Sequence, residues 1–511
     1  MHFSSFCYSK SLQVSQMSRT GVFNAIIKRS VACGIIVFLL VALGFILAVV
    51  LHRQDSGRQE PTPPTTLDSS QEISGEIAAA TVKHANPTLV FSSELSSQAL
   101  SEKILSDFRN CGWFNVQESG NAAYQVSVQG NFGDFTVTVS NNAGTPLHTF
   151  RVTDSREVDA AAHMAVDTVL NKIFGIPGIC RTKIVFSATT DGTICEIFMC
   201  DFDGSNIRQI TKNNTLSVEP VWAPDGNSII FSCHGASFTD LVQYSLETAL
   251  SRRLTRYEGI SSDGALSPDG STLAFIHARN DQIDLYTRPT EGGLLKQHTK
   301  TKSAEASPRW GPDGTKLAFV SEAQNGRAAL FVIDPFAGDE AVEISGLDGS
   351  ERVMPSWSSD NKLAYCANVN GHYELRVAKL SADGTSGVME AIGVAGNNTF
   401  IGEVPSWAPD NRHVTLDMEN GTSIYVIDTW LGAKRRLVSG KGTVGQSNWS
   451  PILNPSYDIY EVQRGATLLA IAKAYGVTVD DIKKANDLKG DALQPGQRLI
   501  IPKKSIDSIV K

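Results

Sequence analysis

The sequence predicts a multi-domain protein with an N-terminal transmembrane helix, a small α/β domain, a six-bladed β-propeller and a C-terminal βααβ domain. Three observations support this fold class: a tryptophan motif that recurs every 42 to 50 residues, a long uncharged apolar run near the N-terminus, and a change of pattern after the last motif. A chain of 511 residues also exceeds the usual size of one domain.

The recurring motif reads Pro-Val-Trp-Ala-Pro-Asp-Gly at residues 220–226. Versions of it occupy residues 264–270, 308–314, 355–361 and 405–411, and a truncated version ends the series at 447–451. Such a repeat is typical of solenoids and propellers. The six copies therefore predict six structural units.

Each unit has the length and pattern of a propeller blade. In the second unit, alternating apolar strands at 228–232, 241–245 and 251–255 follow the tryptophan strand. Four short antiparallel strands in about 45 residues fit one blade. The Pro-Asp-Gly turn fits as well, because proline presets φ and glycine or asparagine tolerates a positive φ. The tryptophan is interpreted as a core wedge between neighbouring blades.

The two ends of the repeat complement each other. Strands at 182–187, 196–199 and 207–211 have no leading tryptophan strand, whereas the strand with Trp449 has nothing after it. Pairing the last strand with the first three would close the ring. Closure removes exposed sheet edges, which favour aggregation.

The N-terminal region predicts a membrane anchor. Residues 31–51 form an uncharged apolar run that could span a bilayer as a helix, and basic residues precede it. The positive-inside rule places residues 1–30 in the cytoplasm and the rest outside it. A cleaved signal peptide is the alternative, although the run exceeds the usual apolar length of about 7 to 15 residues. Met17 is an alternative start.

Composition limits the possible partners and cofactors. A net charge of −8 with 19% charged residues argues against nucleic acid as the main partner. Six cysteines follow the apolar run, and an exported compartment permits disulfides. Their spacing indicates no particular pair, and no Cys-x-x-Cys or histidine cluster predicts zinc. Buried free thiols and no cofactor are expected.

Two further segments precede the propeller. Residues 52–87 are rich in proline, serine and threonine and are predicted to be a flexible linker. Residues 88–177 predict a small α/β domain with no catalytic pattern. Its predicted strands are 88–91, 124–129, 135–139 and 147–152, and its predicted helices are 97–110 and 156–174.

Residues 178–455 carry the propeller repeat, and the order of the domains resembles the TolB family. The resemblance includes the junction at 181–186, the Asp-Phe-Asp-Gly turn at 201–204 and the closing motif at Trp449. It implies a non-enzymatic periplasmic component of the Tol-Pal envelope system. The propeller mouth would bind a Pal-like lipoprotein, and the N-terminal domain would contact inner-membrane Tol proteins.

Residues just before each motif are expected at the channel mouth, where the innermost strands begin. They are interpreted either as a polar ring that contacts Pal or an ion, or as solvated loop residues. The set is Glu219, Asp263, Glu305, Arg352, Glu403 and Gln446.

Residues 456–511 resemble a LysM domain along their whole length. The pattern is a strand at 460, two short helices and a Pro-Gly turn into a last strand, and Thr478 begins a capping box. The resemblance implies binding of N-acetylglucosamine glycans such as peptidoglycan, with backbone groups holding the acetamido group. The implied groove residues are Gly465, Ala466, Thr467, Leu468, Asn486, Leu493 and Gln494.

The alternative class is an enzyme, either a propeller-type peptidase or a LysM-targeted cell-wall hydrolase. A peptidase would need a Gly-x-Ser-x-Gly elbow in an added α/β-hydrolase domain, and the chain has no such motif. A wall hydrolase would need a metal triad or a Cys-His pair. The Asp-Phe-Asp-Gly turn could suggest calcium, but a strand turn is the simpler interpretation.

Overall fold

A computed structural model describes residues 85–502, except 154–156, 190–193, 236–238, 281, 323–325, 339, 395, 397, 454–456, 463–464, 476, 487, 489 and 495–496. The predicted membrane segment 31–51 and most of the predicted linker lie outside these residues. Among the helices in the described ranges, none has both the length and the apolar character needed to cross a bilayer.

The first domain is a five-stranded sheet covered by two helices. Its spatial order is β2-β1-β3-β4-β5, with β1 parallel to β2 and β3 and the other pairs antiparallel. The strands are β1 (Thr88–Leu95), β2 (Asn115–Gln117), β3 (Tyr124–Asn131), β4 (Asp134–Asn141) and β5 (Pro146–Thr153), and the helices are α1 (Gln98–Asn110) and α2 (Val158–Phe174).

The helices form where the sequence predicts them. Ser97 caps α1 by accepting a hydrogen bond from the backbone N–H of Leu100. Gly175 ends α2 at φ 68°, a left-handed value that glycine adopts without cost. The apolar face of α1 is buried against the sheet, with Ile104 fully buried at its centre.

In the part of the chain that the structure describes, the propeller strands pair as six antiparallel groups of four, and single parallel bridges join the first three groups into one sheet. In chain order the strands are β6 (Lys183–Thr189), β7 (Cys195–Asp201), β8 (Arg208–Gln209), β9 (Leu216–Trp222), β10 (Ser228–His234), β11 (Thr239–Ser245), β12 (Ser251–Arg253), β13 (Ile260–Leu266), β14 (Thr272–Arg279), β15 (Gln282–Pro289), β16 (Lys296–Gln297), β17 (Ala306–Trp310), β18 (Leu317–Glu322), β19 (Ala328–Ile333), β20 (Val342–Glu343), β21 (Arg352–Trp357), β22 (Lys362–Val369), β23 (His372–Leu380), β24 (Gly387–Glu390), β25 (Glu403–Trp407), β26 (His413–Met418), β27 (Ser423–Asp428), β28 (Lys434–Ser439) and β29 (Val444–Trp449).

The last propeller strand completes the first group. Strand β29 pairs antiparallel with β6, so that Trp449 lies opposite Ile184. The order in this group is β29-β6-β7-β8, whereas each later group is continuous in sequence. The predicted pairing of the chain's last propeller strand with its first strands is confirmed.

The motif tryptophans join neighbouring groups. The indole N–H of Trp310 donates to the carbonyl of Ala265 in the preceding group at 3.1 Å. Trp407 donates in the same way to the carbonyl of Ser356 at 3.1 Å. Their predicted role as wedges between blades is confirmed at these positions.

The C-terminal domain is a two-stranded antiparallel sheet with two helices. Its elements are β30 (Tyr457–Glu461), α3 (Leu468–Tyr475), α4 (Val479–Ala485) and β31 (Arg498–Pro502). The predicted capping box is present, with Thr478 and Asp481 exchanging hydrogen bonds at 3.1 and 3.0 Å. Fully buried Ile482 lies in its small core.

Candidate functional site

In the innermost strand of every propeller group, one residue has a positive φ angle, in the left-handed region of backbone conformations. This residue lies three positions before the motif tryptophan, or before Leu266 where leucine replaces it. At each of these residues the pairing with the second strand shifts register, which marks a β-bulge. Non-glycine residues rarely adopt a positive φ. The six bulge residues are Glu219 (φ 56°), Asp263 (53°), Ser307 (53°), Met354 (54°), Val404 (50°) and Gln446 (53°).

Bulge side chains connect neighbouring blades through hydrogen bonds. The side-chain oxygen of Gln446 accepts from the backbone N–H of Glu219 at 2.8 Å. The carboxylate of Glu219 accepts from the N–H of Asp263 at 3.1 Å. The carboxylate of Asp263 in turn accepts from the N–H of Ser307 at 2.7 Å. Three interblade hydrogen bonds thus run in sequence around the axis.

The other side of the axis uses different groups. The sulfur of Met354 lies 3.4 Å from the backbone N–H of Val404, where it acts as a weak acceptor. Val404 has no side-chain acceptor, and the carboxylate of Asp417 on the next strand accepts from the N–H of Gln446 instead. The ring of bulges is therefore polar on one side and apolar at Met354 and Val404.

A cavity of about 1120 Å³ is bounded by all six bulge residues. Its wall also includes the motif tryptophans, among them Trp222 and Trp449, together with several of the turn prolines. A cavity of this size exceeds the usual range for small-ligand pockets, about 300–1000 Å³. It can accommodate a peptide segment or loop of another protein.

Four of the six residues predicted at the channel mouth line this cavity: Glu219, Asp263, Glu403 and Gln446. Glu305 and Arg352 are not among the lining residues. Glu305 is 1% exposed and accepts hydrogen bonds from three hydroxyl groups, those of Thr299, Thr301 and Ser321. Arg352 pairs with Glu343 at 2.6 Å.

Glu305 and Arg352 do not line the cavity, because both lie five residues before their tryptophan rather than three, and their contact with a partner stays a prediction. In those two blades the bulge residues Ser307 and Met354 line the cavity instead. In the sixth group the bulge residue Val404 and its neighbour Glu403 both line it. A constant spacing of three residues before the tryptophan was the signal that could have identified them.

Buried carboxyl groups make the polar side of the cavity sensitive to pH. Burial raises the pKa of Asp417 to about 7, although Ser447 and Gln446 donate hydrogen bonds to it. Burial, followed by the nearby Asp263 carboxylate, raises the pKa of Glu219. These groups are poorly solvated as anions, so a cationic or hydrogen-bonding partner would be favoured there.

We expect the contribution of Asp417 to the stability of the propeller to fall as pH rises from 5 to 8. Because the folded-state pKa of Asp417 lies near 7 and the unfolded value is about 3.9, its contribution is fully present below about pH 3.9. The contribution is lost as pH rises through about 7, by an amount on the order of 1–3 kcal/mol.

The free energy of unfolding, measured by chemical denaturation, should change less with pH for Asp417→Asn than for the unmodified protein. Asp269→Asn is the matched control, because turn hydrogen bonds from Ser267 and Ser271 lower the pKa of Asp269 to about 2. Its titration lies below the range tested. Equal slopes for Asp417→Asn and the unmodified protein would contradict the assignment.

Charged side chains also form the interface between the α/β domain and the first propeller group. Lys103 on α1 pairs with Asp203 at 2.7 Å. His163 on α2 lies 2.7 Å from Asp107 and 4.0 Å from Asp201. Burial lowers the pKa of His163, but its hydrogen bond to Asp107 and the nearby carboxylate of Asp201 outweigh this effect and raise the pKa to about 9.

The Asp-Phe-Asp-Gly segment is a turn, as the simpler interpretation predicted. The N–H of Gly204 donates to the carbonyl of Asp201 at 2.9 Å. Both carboxylates have cationic partners, Lys183 for Asp201 and Lys103 for Asp203. Within the described ranges, no group of three or more histidine, cysteine or acidic side chains is arranged to hold a metal ion.

A buried arginine forms the other half of this interface. The guanidinium of Arg412 lies 4.7 Å from the ring centre of Trp113 in the α/β domain and 4.9 Å from that of Trp430. It also pairs with Asp428 at 2.5 Å. The indole N–H of Trp113 donates to Asp410 at 3.0 Å. These contacts fix the α/β domain to the sixth group.

The residues predicted to bind glycan divide into two sets. Leu468 is 2% exposed in the core of the C-terminal domain, and Ala466 and Leu493 pack against that core. Gly465, Thr467 and Gln494 are exposed, and Asn486 is half-buried with its amide donating to the carbonyl of Ile482 at 2.8 Å. Of the predicted groove residues, Leu468 is the one fully withdrawn from solvent, whereas Ala466 and Leu493 are partly exposed.

The fold and the cavity define a class: a closed β-propeller with an axial cavity, preceded by an α/β domain and followed by a small βααβ domain. Residues 170–453, more than half of the chain, match the family described as "TolB beta propeller domain". The chain therefore belongs to the TolB propeller family. Residues 460–502 match the LysM domain family.

Curated relatives and a solved structure agree with this assignment. A Tol-Pal system protein TolB from Geobacter metallireducens is 27% identical over 206 residues, which are 36% of this chain and 47% of that protein. A protein TolB homolog from Chlamydia abortus is 26% identical over 21% of this chain and 27% of that protein. The chain thus spans less than half the length of these relatives.

The crystal structure of TolB from Acinetobacter baumannii has a TM-score of 0.63 to this chain at 19% sequence identity. It covers 73% of this chain, and 98% of its own length is matched. At this level of identity the similarity concerns the fold.

Proposed function

We propose that this protein is a non-enzymatic periplasmic component of a Tol-Pal envelope system that also binds peptidoglycan. Its six-bladed propeller would dock a Pal-like lipoprotein, and its α/β domain would contact inner-membrane Tol proteins. Such contacts would serve envelope integrity and cell division. The LysM domain would hold N-acetylglucosamine glycan, and residues 31–51 would anchor the protein in the inner membrane.

The axial cavity is the observation on which the docking proposal rests. It is about 1120 Å³ and is bounded by a bulge residue from each group of strands. Its polar side offers the carboxyl groups of Glu219, Asp263 and Asp417. Its apolar side offers Met354 and Val404. An inserted segment with basic or amide groups on one face and apolar groups on the other would complement both sides.

The second support is the pairing of this cavity with a LysM domain on one chain. The exposed backbone at Gly465 (φ 86°) and the exposed Thr467 and Gln494 lie in the two segments where the family implies a glycan groove. A single chain with both domains would keep a bound envelope lipoprotein close to the peptidoglycan.

The docking proposal is tested by capture of purified Pal on the immobilised protein. We expect Met354→Arg, which places a charge on the apolar side of the cavity, to weaken Pal binding at least tenfold. Val388→Arg is the matched control, because Val388 is 73% exposed on the outermost strand β24 and does not line the cavity. The proposal is refuted if neither the unmodified protein nor the Val388→Arg control captures Pal.

We also expect the LysM domain to sediment with purified peptidoglycan sacculi. The double variant Thr467→Arg with Gln494→Arg changes two exposed groove residues and should reduce the bound fraction about tenfold. Lys473→Ala, an exposed change on α3 outside the predicted groove, should leave it unchanged. Equal sedimentation of the double variant and the control would contradict the groove assignment.

A further inference from the structure

A pocket of about 380 Å³ opens on the outer surface of the propeller, between the second and third groups of strands. Its wall contains four arginines: Arg252, Arg253, Arg256 and Arg288. The first three come from β12 and the segment after it, and Arg288 comes from β15 of the next group. The pocket is separate from the axial cavity, with which it shares no lining residue.

Two of these guanidinium groups are matched by carboxylates. Arg253 pairs with Asp240, which is fully buried, and Arg252 lies 3.6 Å from the exposed Glu291. Arg288 donates to the backbone carbonyls of Leu254 and Pro289, at 2.5 and 3.2 Å. These bonds orient its guanidinium without neutralising its charge.

Arg256 is exposed and forms no hydrogen bond or ion pair with any residue that the structure describes. Together with Arg288, it leaves two positive charges at the pocket without a matching carboxylate. This excess is local, because the whole chain carries a net charge of −8. Like charges held close together repel, and a bound anion would relieve that repulsion.

The pocket wall is also fixed in place. The ring of Tyr257 stacks on Phe275 with centres 6.2 Å apart and an interplanar angle of 3°. Arg252 donates to the side-chain oxygen of Gln243 at 2.8 Å. Arg252 and Arg288 are therefore already oriented, and donors that are held in place lose less conformational entropy when a ligand binds.

We propose that this pocket binds a small phosphorylated ligand through Arg252, Arg256 and Arg288. The guanidinium groups approach from two different blades, and a phosphoryl group offers at least three acceptor oxygens that point in different directions. A carboxylate has only two, in one plane, and a single arginine fork satisfies both. The volume of about 380 Å³ falls at the small end of the range for ligand pockets.

The experiment is isothermal titration of the purified full-length protein with inorganic phosphate, pyrophosphate, glycerophosphoglycerol and succinate. We expect at least one phosphoryl probe to bind more than tenfold tighter than succinate. Tighter binding of phosphate or pyrophosphate would identify a free phosphate or phosphomonoester ligand, whereas tighter binding of glycerophosphoglycerol would identify a phosphodiester headgroup. Either result supports the phosphoryl site.

The double variant Arg252→Gln with Arg256→Gln should weaken phosphoryl binding at least tenfold, with an unchanged thermal midpoint. The matched control is Arg279→Gln, since Arg279 is an exposed arginine paired with exposed Glu258 and lies outside the pocket wall. It should bind like the unmodified protein. Equal affinity for succinate, no binding of any probe, or full binding by the double variant would overturn the proposal.

Discussion

Replacing Arg412 by alanine should destabilise the protein by about 3–5 kcal/mol, the range found when one partner of a buried ion pair is removed. The guanidinium is 1% exposed and lies between two tryptophan rings while pairing with Asp428. Its removal leaves the Asp428 carboxylate buried without its cation. It also leaves a void between the α/β domain and the propeller.

Chemical denaturation followed by tryptophan fluorescence would measure this loss, because Trp113 and Trp430 report directly on the interface. Arg151→Ala is the control, since the ion pair of Arg151 with Asp134 is solvent-exposed and such pairs contribute about 0–1 kcal/mol. A loss for Arg412→Ala no larger than that of the control would show that Arg412 does not hold the α/β domain and the propeller together.

Trp449→Ala should lower the free energy of unfolding by a comparable amount, about 3–5 kcal/mol, because it truncates a large buried aromatic side chain. Trp449 is 4% exposed, and its indole N–H donates to the hydroxyl of Thr182 at 2.7 Å. This contact lies at the point where the last strand closes the ring. We expect the unfolding midpoint of the propeller to fall, as measured by calorimetry.

A pair of tryptophan-to-phenylalanine variants separates the hydrogen bond from the packing. Trp449→Phe loses the bond to Thr182, whereas the indole N–H of Trp222 is buried with no hydrogen-bond partner among the described residues. Trp449→Phe should therefore cost about 1 kcal/mol more than Trp222→Phe. Equal losses would mean that the hydrogen bond from Trp449 to Thr182 adds no stability beyond the packing of the indole ring.

Repeat spacing and local chemistry predicted most of the propeller. The tryptophan motif located the blades, and the unpaired strands at both ends predicted the pairing of β29 with β6. In the α/β domain, Ser97 and Gly175 marked the helix ends that the structure shows. The short strand β2 has only three residues and was not predicted, because so short a segment shows no periodicity.

The candidate site was predicted only in part, for a geometric reason. Residues were chosen because they lie just before each motif, at three to five residues from the tryptophan, and this selected Glu305 and Arg352 instead of Ser307 and Met354. The bulge is a backbone feature that places any side chain three residues before the tryptophan at the cavity, including the apolar Val404. A position just before the motif, without the constant spacing of three residues, therefore could not identify the residues that line the cavity.

The domain interface was not predicted at all. Lys103, His163 and Arg412 are far apart in sequence, and the partners described above lie on other helices, strands or domains. Nothing in their local sequence distinguishes them from solvated charges. Such contacts depend on the tertiary arrangement, which spacing and composition do not encode locally.

The late closure of the ring sets an order for folding during synthesis. The strand that completes the first blade carries Trp449, which bonds to a hydroxyl 267 positions earlier in the chain. The entropy of so long a loop must be overcome before this contact forms, which slows the step. A nascent or truncated chain that stops before residue 444 would present β6 as an open edge, ready to pair with other chains.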